Sequence, residues 1–309
     1  MYNQTNIWQE LKHKYRYGGA HTKLIFINVG FFILLNFILL IDQLFFKGLG
    51  KSFILNQVVG SSDISMLLYK PWTIITNLFV HAGFFHLLFN MIFLYVFGNI
   101  VKDLVGNSKV TPIFFLSGIF GFALFLIAYN LIPLYKNLGA VSIMGASGGV
   151  MGITFAAVAI APDYIIRLLF LGNVKIKWIA VFYVVMDLLS LQGSNAGGSI
   201  AHLGGAFIGF QYIRQLQMGR DWGRPFYFIE DFINNIRRPK KRIKVVYKQE
   251  EKVKAAAYQK KTHQQSSSTS YKMGKQEQLD EILDKINKSG YDSLSTEEKN
   301  FLFKISQED

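Results

Sequence analysis

The composition of the chain is that of an integral membrane protein. Of its 309 residues, 51% are hydrophobic and 17% are charged, and the apolar residues fall in long blocks. The absence of cysteine excludes disulfides, thiolate metal sites and a cysteine nucleophile. The formal net charge is +13, but the basic residues flank the apolar blocks and fill the C-terminal tail. This distribution favours anionic lipid headgroups over nucleic acid as the partner.

The chain starts with a basic arm and a long apolar block. Residues 1–22 are polar and basic, with apolar residues at helical spacing that predict contact with the membrane interface. Residues 24–46 are long enough to span a membrane and too long for the apolar part of a signal peptide, and no small-residue cleavage site follows them. Residues 47–71 mix apolar and polar side chains, which predicts a partly embedded loop.

Five further apolar segments follow, so that six membrane spans are predicted in all. The five cover residues 84–101, 112–134, 142–160, 178–191 and 200–216. Lysine and arginine are concentrated in the N-terminal arm, in the connections after the second and fourth spans, and in the tail, although the first loop runs against this trend. Because basic residues mark the cytoplasmic side, the sequence predicts a multi-pass protein of the cell membrane with both termini in the cytoplasm.

The residues after the last span are polar. Residues 237–261 contain many basic and few acidic side chains, a cluster that attracts anionic lipid headgroups. Residues 264–270 are polar and low in complexity, which predicts disorder. From Lys275 the pattern becomes helical, and a capping signal at Ser295 and Glu298 starts a second helix. The predicted parts are a cytoplasmic arm over residues 1–22, a membrane domain over 23–217, a basic juxtamembrane and disordered linker over 218–274, and a small soluble helical hairpin over 275–309.

Ser147 lies at the start of an apolar run, among small residues. Taken alone it is a packing residue, because small residues let membrane helices approach closely. However, Gly148 and Gly152 in the fourth span and Gly205 and Gly209 in the sixth make two matching small-residue ladders. The sixth span also presents His202 on its glycine face. Close packing of these spans would bring the imidazole within reach of Ser147, which needs such a base to attack at neutral pH.

The second span adds two polar side chains. His86 and Asn90 are four residues apart and therefore share one helix face. Their alternative role is interhelical hydrogen bonding. Together with the backbone N–H of Ser147 they would supply donors for the oxyanion that forms in acyl transfer. All these groups lie at the outer end of their predicted spans, and this joint placement favours catalysis over packing.

Other polar residues in the spans fit other chemistries less well. Asp42 and Asp187 are the carboxylates within spans, but an aspartyl mechanism needs two facing carboxylates, and a structural or anchoring role is the better interpretation. His81 and His86 are five residues apart and lack the intervening glutamate of a zinc-binding helix. We therefore expect neither a metal nor a cofactor.

These motifs resemble those of the rhomboid family of intramembrane serine proteases. The resemblance rests on Gly145-Ala146-Ser147-Gly148 for the family's G-x-S-G, His86-Leu87-Leu88-Phe89-Asn90 for its H-x-x-x-N, and His202, Gly205 and Gly209 for its H-x-x-G-x-x-x-G. It covers about residues 23–217 and implies an all-α bundle of six transmembrane helices that hydrolyses peptide bonds in single-span membrane substrates. It also implies Ser147 as nucleophile, His202 as base, and His86 with Asn90 as oxyanion donors. The tail is similar to C-terminal extensions of some bacterial members.

Two positions depart from the family pattern. Met151 stands where many members have an aromatic residue against the catalytic imidazole, and a thioether can make a comparable contact with a ring. The first loop has Trp72 followed by Thr73 where members often have Trp-Arg, which predicts a weaker loop anchor. No carboxylate is expected beside His202, so the predicted catalytic unit is a dyad with Ser147, its imidazole oriented by Met151 and the helix N-terminus.

Two other functions stay open at this point. One is a catalytically silent rhomboid-like protein that binds membrane-anchored clients and presents them through its tail, although such proteins usually lack the serine or the histidine that this chain has. The other is a transporter, but the sequence has no detectable inverted repeat and no cluster of midspan charges.

Overall fold

The computed structural model describes residues 6–168, 172–228 and 269–305, and the chain divides into two compact units, residues 1–240 and residues 241–309. The predicted basic cluster over 237–261 lies outside the described residues, as do residues 264–268 of the predicted disordered segment.

The first unit consists of α-helices with two short strand pairs. Its helices are α1 (Ile7–Tyr17), α2 (Ala20–Phe46), α3 (Lys51–Leu55), α4 (Ile64–Tyr69), α5 (Thr73–Thr76), α6 (Phe84–Val105), α7 (Asn107–Leu131), α8 (Pro133–Lys136), α9 (Ser147–Ile160), α10 (Ile176–Leu189) and α11 (Ala196–Gln217). The strands are β1 (Gly60–Ser61), β2 (Ser142–Ile143), β3 (Ile165–Leu168) and β4 (Gly172–Lys175), and β1 pairs with β2 and β3 with β4, both antiparallel.

The helices are those of a multi-pass membrane protein. Within the described residues, α2, α6 and α7 are long and apolar enough to cross a membrane, and α9 is a shorter apolar helix. The predicted all-α class is thus confirmed, and the predicted span limits agree with the helices to within a turn or two. The number of six spans stays a prediction. The fourth span was predicted from Ser142, but that residue pairs with Ser61 in a strand, and the helix begins only at Ser147.

The segment before α6 is ordered by short helices and by hydrogen bonds from side chains to backbone carbonyls. The Trp72 indole Nε1–H donates to the carbonyl of Gln57 at 2.8 Å, and the Thr76 hydroxyl donates to that of Val58 at the same distance. The Thr73 hydroxyl donates within its own turn. The segment predicted as a partly embedded loop therefore has local secondary structure, and it supports the strand β2 that precedes Ser147.

Helix α9 lies at the centre of the bundle and packs against α6, α7 and α11. Its contact with α11 is a backbone contact: a Cβ added at Gly205 would overlap the Gly148 carbonyl, and one added at Gly209 would overlap the Gly152 carbonyl. Ser117 of α7 occupies the space beside Gly152. The predicted close packing of the two glycine ladders is therefore confirmed.

Residues beyond α11 are tied to α7 at the end of α11 that is far from His202. Lys109 forms an ion pair with Asp221, and the carboxylate also accepts hydrogen bonds from the Tyr212 hydroxyl and the Gly223 N–H. Burial alone would raise the pKa of Asp221, but these donors, above all Lys109, hold it below its ordinary value of 3.8. The carboxylate is therefore ionised at neutral pH and anchors the chain just after α11.

The second unit contains two α-helices in the part that the structure describes, with a 3-10 turn at Tyr291–Ser293 between them. Helix α12 spans Thr269–Ser289 and α13 spans Thr296–Ile305. The prediction placed the first helix from Lys275 and extended the disordered segment to Ser270, so both limits were wrong by up to two turns. The predicted capping signal is formed: the Ser295 N–H donates to Glu298 Oε2 at 2.7 Å, and the Glu298 N–H donates to Ser295 Oγ at 3.3 Å.

The backbone contact between α9 and α11 predicts that Gly209→Ala destabilises the membrane domain. The new methyl group would press on the Gly152 backbone, and overpacking of this kind costs about 1–3 kcal/mol. Gly30→Ala in α2 is the matched control, because nothing lies within 4 Å of the added Cβ and alanine is the better helix former. Thermal unfolding in detergent micelles should show a lower Tm for Gly209→Ala alone; equal Tm values for both variants would contradict the backbone contact.

Candidate active site

The predicted site residues line one cavity of about 630 Å³. Its walls come from α6, α7, α9, α10 and α11 and from the strand β2 with the turn that follows it. Ser147, His202, His86 and Asn90 all contribute to this wall, as does Met151. The structure thus brings the four residues of the predicted catalytic and oxyanion sets together.

Gly145 determines how the chain enters α9. Its φ is +135°, a conformation that residues with a side chain rarely adopt, and its N–H donates to the carbonyl of Asn77 at 2.9 Å. A Cβ at this position would lie 3.1 Å from His86 Nε2 and 3.4 Å from Ser147 Oγ. The imidazole and the hydroxyl therefore lie on the same side of Gly145, where the absence of a side chain leaves them uncrowded.

His86 is supported by a second histidine. The His81 ring lies against it with centroids 5.1 Å apart in an edge-on arrangement, and His81 is 5% exposed. His81 Nδ1 lies 3.3 Å from the carbonyl oxygen of Phe79. His81 is not among the residues that line the cavity, so it contacts the His86 ring from behind the cavity wall.

Asn90 uses part of its hydrogen-bonding capacity within its own helix. Its Nδ2 donates to the His86 carbonyl at 2.8 Å, one turn earlier in α6. An amide nitrogen carries two hydrogens, so the second is left for a group in the cavity. The side chain thereby has a defined orientation, which suits a preorganised donor.

His202 has a partner that the sequence analysis did not assign to it. Its Nδ1 lies 2.9 Å from Oδ1 of Asp187, which is close to the C-terminal end of α10. The expectation that no carboxylate lies beside the imidazole is therefore wrong. Two signals in the sequence could have revealed this contact. A carboxylate in an apolar span is a functional candidate by default. In addition, only a short segment links α10 to α11, so Asp187 lies level with the start of α11.

Ser147 and His202 share the cavity without a hydrogen bond between their side chains in the described structure. Catalytic hydrogen bonds are commonly long until a substrate binds. Ser147 is the first residue of α9, so its backbone N–H belongs to the unpaired donors of a helix N-terminus. The arrangement offers a nucleophile, a base and several donors around one space.

Comparison with known proteins places this site in a family. Residues 69–217 match the Rhomboid domain, and residues 269–308 match a family of unknown function, DUF6576. The chain therefore contains a Rhomboid domain, as its three motifs indicated.

Curated relatives include both proteases and a protein named as inactive. The chain is 31% identical over 140 residues to the putative rhomboid protease YdcA of Bacillus subtilis (strain 168), which covers 45% of this chain and 64% of the relative. It is 30% identical over 166 residues to Rhomboid-like protein 11, chloroplastic, of Arabidopsis thaliana, and the alignment covers 50% of this chain and 56% of the relative. It is 28% identical over 141 residues to Inactive RHOMBOID-like protein 8 of Arabidopsis thaliana, and the alignment covers 43% of this chain and 36% of the relative. In each case the chain spans less than two thirds of the relative's length.

The geometry at Gly145 predicts that Gly145→Ala destabilises the protein more than Gly139→Ala does. Both glycines have positive φ, but a Cβ at Gly139 meets open space whereas one at Gly145 crowds the His86 ring. A left-handed alanine costs about 1 kcal/mol, and the rarer conformation at Gly145 costs roughly 1–3 kcal/mol before any crowding. Thermal unfolding of both variants would measure the difference, and equal losses would contradict both the conformational cost at Gly145 and the crowding at His86.

Proposed function

We propose that the protein is an intramembrane serine endopeptidase that hydrolyses peptide bonds in or near the transmembrane segment of membrane-anchored, single-span substrates. One observation carries the proposal: Ser147 and His202 line the same cavity as His86 and Asn90, inside a rhomboid domain. Relatives named as proteases support the same class of reaction. No cofactor is needed for this chemistry, because the side chains supply nucleophile, base and electrostatic stabilisation.

In the proposed reaction Ser147 Oγ bonds to the scissile carbonyl carbon while its proton passes to Nε2 of His202. The imidazolium then gives that proton to the leaving amine as the C–N bond breaks, which leaves an acyl-enzyme. A water molecule next transfers a proton to His202 and attacks the acyl carbon, so that the peptide acid leaves and Ser147 regains its proton. Atoms and charge balance over the cycle without another reactant.

The proposed oxyanion site lies between α6 and α9. His86, the second amide hydrogen of Asn90 and the backbone N–H of Ser147 are its donors. Its support is the position of His86 Nε2 on the same side of Gly145 as Ser147 Oγ. Donors held by their own helices need no reorganisation when charge develops, which is why such sites stabilise the transition state strongly.

Substrate, membrane and tail complete the proposal. A peptide bond must leave its helical hydrogen bonds before it can enter the site, so helix-destabilising residues in the substrate span should favour cleavage. The basic residues of the tail bind anionic lipid headgroups on the cytoplasmic side of the cell membrane, where we place both termini.

The alternative function is that of a catalytically silent, client-binding protein, and the observation that supports it is a relative named as inactive. This chain has both Ser147 and His202, which favours catalysis.

Ser147→Ala should abolish cleavage of a reconstituted single-span substrate, because the variant lacks the hydroxyl that would attack the scissile carbonyl. His202→Ala should do the same, and Ser147→Ala should keep the Tm of the native protein. A serine-reactive fluorophosphonate should label the native protein and the control Ser190→Ala, whose hydroxyl only donates to the Met186 carbonyl in α10. It should not label Ser147→Ala. Full cleavage by Ser147→Ala would reject the assignment, and a native protein that is neither labelled nor active would favour the silent alternative.

Asn90→Ala should lower kcat about 10²–10³-fold with little change in KM, because a donor to the oxyanion acts mainly in the transition state. Asn99→Ala is the matched control in the same helix. The Asn99 side chain makes the same bond to the carbonyl four residues earlier, Nδ2 to Tyr95 O at 2.9 Å, but it does not line the cavity. Steady-state kinetics on a reconstituted substrate would compare them, and equal kcat values for the two variants would remove Asn90 from the oxyanion site.

A further inference from the structure

We propose that Asp187 is a positioning residue that extends the Ser147–His202 pair to a catalytic triad. The inference rests on the proposed serine-protease function and deepens it. It starts from the distance of 2.9 Å between Asp187 Oδ1 and His202 Nδ1, which joins α10 to α11 across the wall of the cavity. The ring nitrogen involved is Nδ1, which leaves Nε2 as the nitrogen that takes the proton of Ser147.

The surroundings of Asp187 are unfavourable for a carboxylate unless a partner compensates for them. Its side chain is 9% exposed, within a helix of apolar composition. It also lies in the last turn of α10, where the helix dipole disfavours negative charge. Its second oxygen, Oδ2, is buried without a hydrogen-bond partner among the described residues. His202 is the one hydrogen-bonding partner that the described structure gives the carboxylate, so their interaction is what offsets the burial.

Asp42 shows what a purely structural carboxylate looks like in the same protein. It is 6% exposed, lies near the end of α2, and also has one buried oxygen without a partner in the described structure. Its other oxygen accepts the Gly50 N–H at 2.9 Å, so it caps the turn that follows the helix. Asp187 accepts no backbone N–H in the described structure. A turn-capping role therefore explains Asp42 and leaves Asp187 unexplained.

The chemistry that follows from this contact is specific. An ionised carboxylate can only accept, so Nδ1 of His202 must carry its proton and Nε2 presents a lone pair. This is the tautomer that can take the proton of Ser147. The negative charge then stabilises the imidazolium, and no proton moves to Asp187. Met151, which also lines the cavity, has no hydrogen-bond donor with which to set the tautomer.

The test compares Asp187→Asn, Asp187→Glu and Asp42→Asn with the native protein and with Ser147→Ala, all in liposomes with one single-span substrate. Asn has the size of Asp but no charge, so it cannot stabilise the imidazolium. We expect kcat to fall about 100-fold, with KM and Tm unchanged and with a parallel fall in the rate of fluorophosphonate labelling. Asp187→Glu restores the charge and should recover part of kcat. Asp42→Asn should keep the native kcat.

The outcomes separate this inference from the function on which it rests. Cleavage by Ser147→Ala, or a native protein that neither cleaves nor reacts with the probe, would overturn the proposed function and the triad together. If Ser147→Ala is inactive while Asp187→Asn keeps the native kcat, only the triad is overturned. The triad is also overturned if Asp187→Asn loses activity in proportion to folded protein and Asp187→Glu recovers none, because the carboxylate would then be a tether between α10 and α11.

Discussion

The structure of the helical bundle depends on glycine residues at the contact between α9 and α11, which let the two backbones touch. In a membrane, apolar surface has no hydrophobic reason to leave lipid for another helix, so association depends on close van der Waals contact. Gly205 against the Gly148 carbonyl and Gly209 against the Gly152 carbonyl supply that contact. Gly148 directly follows Ser147, so the same contact holds the proposed nucleophile close to the helix that carries the imidazole. Packing and the proposed catalysis therefore share one constraint, because a shift of either helix would change the distance between Ser147 and His202.

A second constraint acts from the side of the first loop. The N–H of Gly145 is bonded to the carbonyl of Asn77, and β2 just before it pairs with β1. The turn into α9 is thus fixed by residues that come much earlier in the chain. The adjacent helix α7 contributes similarly, because a Cβ at Gly121 would overlap the Ala201 carbonyl, next to His202. The proposed nucleophile and base are each held by neighbouring helices and strands, which limits motions that would increase the distance between Ser147 and His202.

The sequence could predict the helices and the glycine contact but not every polar partner. Hydropathy locates the apolar helices because long apolar blocks have few alternatives in a bilayer. The spacing of Gly205 and Gly209 places both glycines on one face of α11. That face is therefore the one expected to pack against the glycine face of α9. The Asp187 contact depends on how far α10 is rotated about its axis relative to α11, and residue spacing within one helix carries no such information. The strand at Ser142 is likewise a pairing with a distant segment, so hydropathy extended the fourth span over it.

The placement of the polar groups along their helices explains how an apolar bundle can contain them. His86 is in the first turn of α6, Ser147 opens α9, Asp187 is in the last turn of α10, and His202 is in the second turn of α11, about 9 Å from its start. Because α10 runs antiparallel to α11, all four lie near one end of the bundle. Desolvation is least costly there, and water, the second substrate of the proposed hydrolysis, has the shortest path.

The same placement lets the N-terminus of α9 point its unpaired N–H groups into the cavity. The proposed hydrolytic site therefore needs no polar residue at the middle of a span, unlike the binding site of a transporter at the centre of the bilayer.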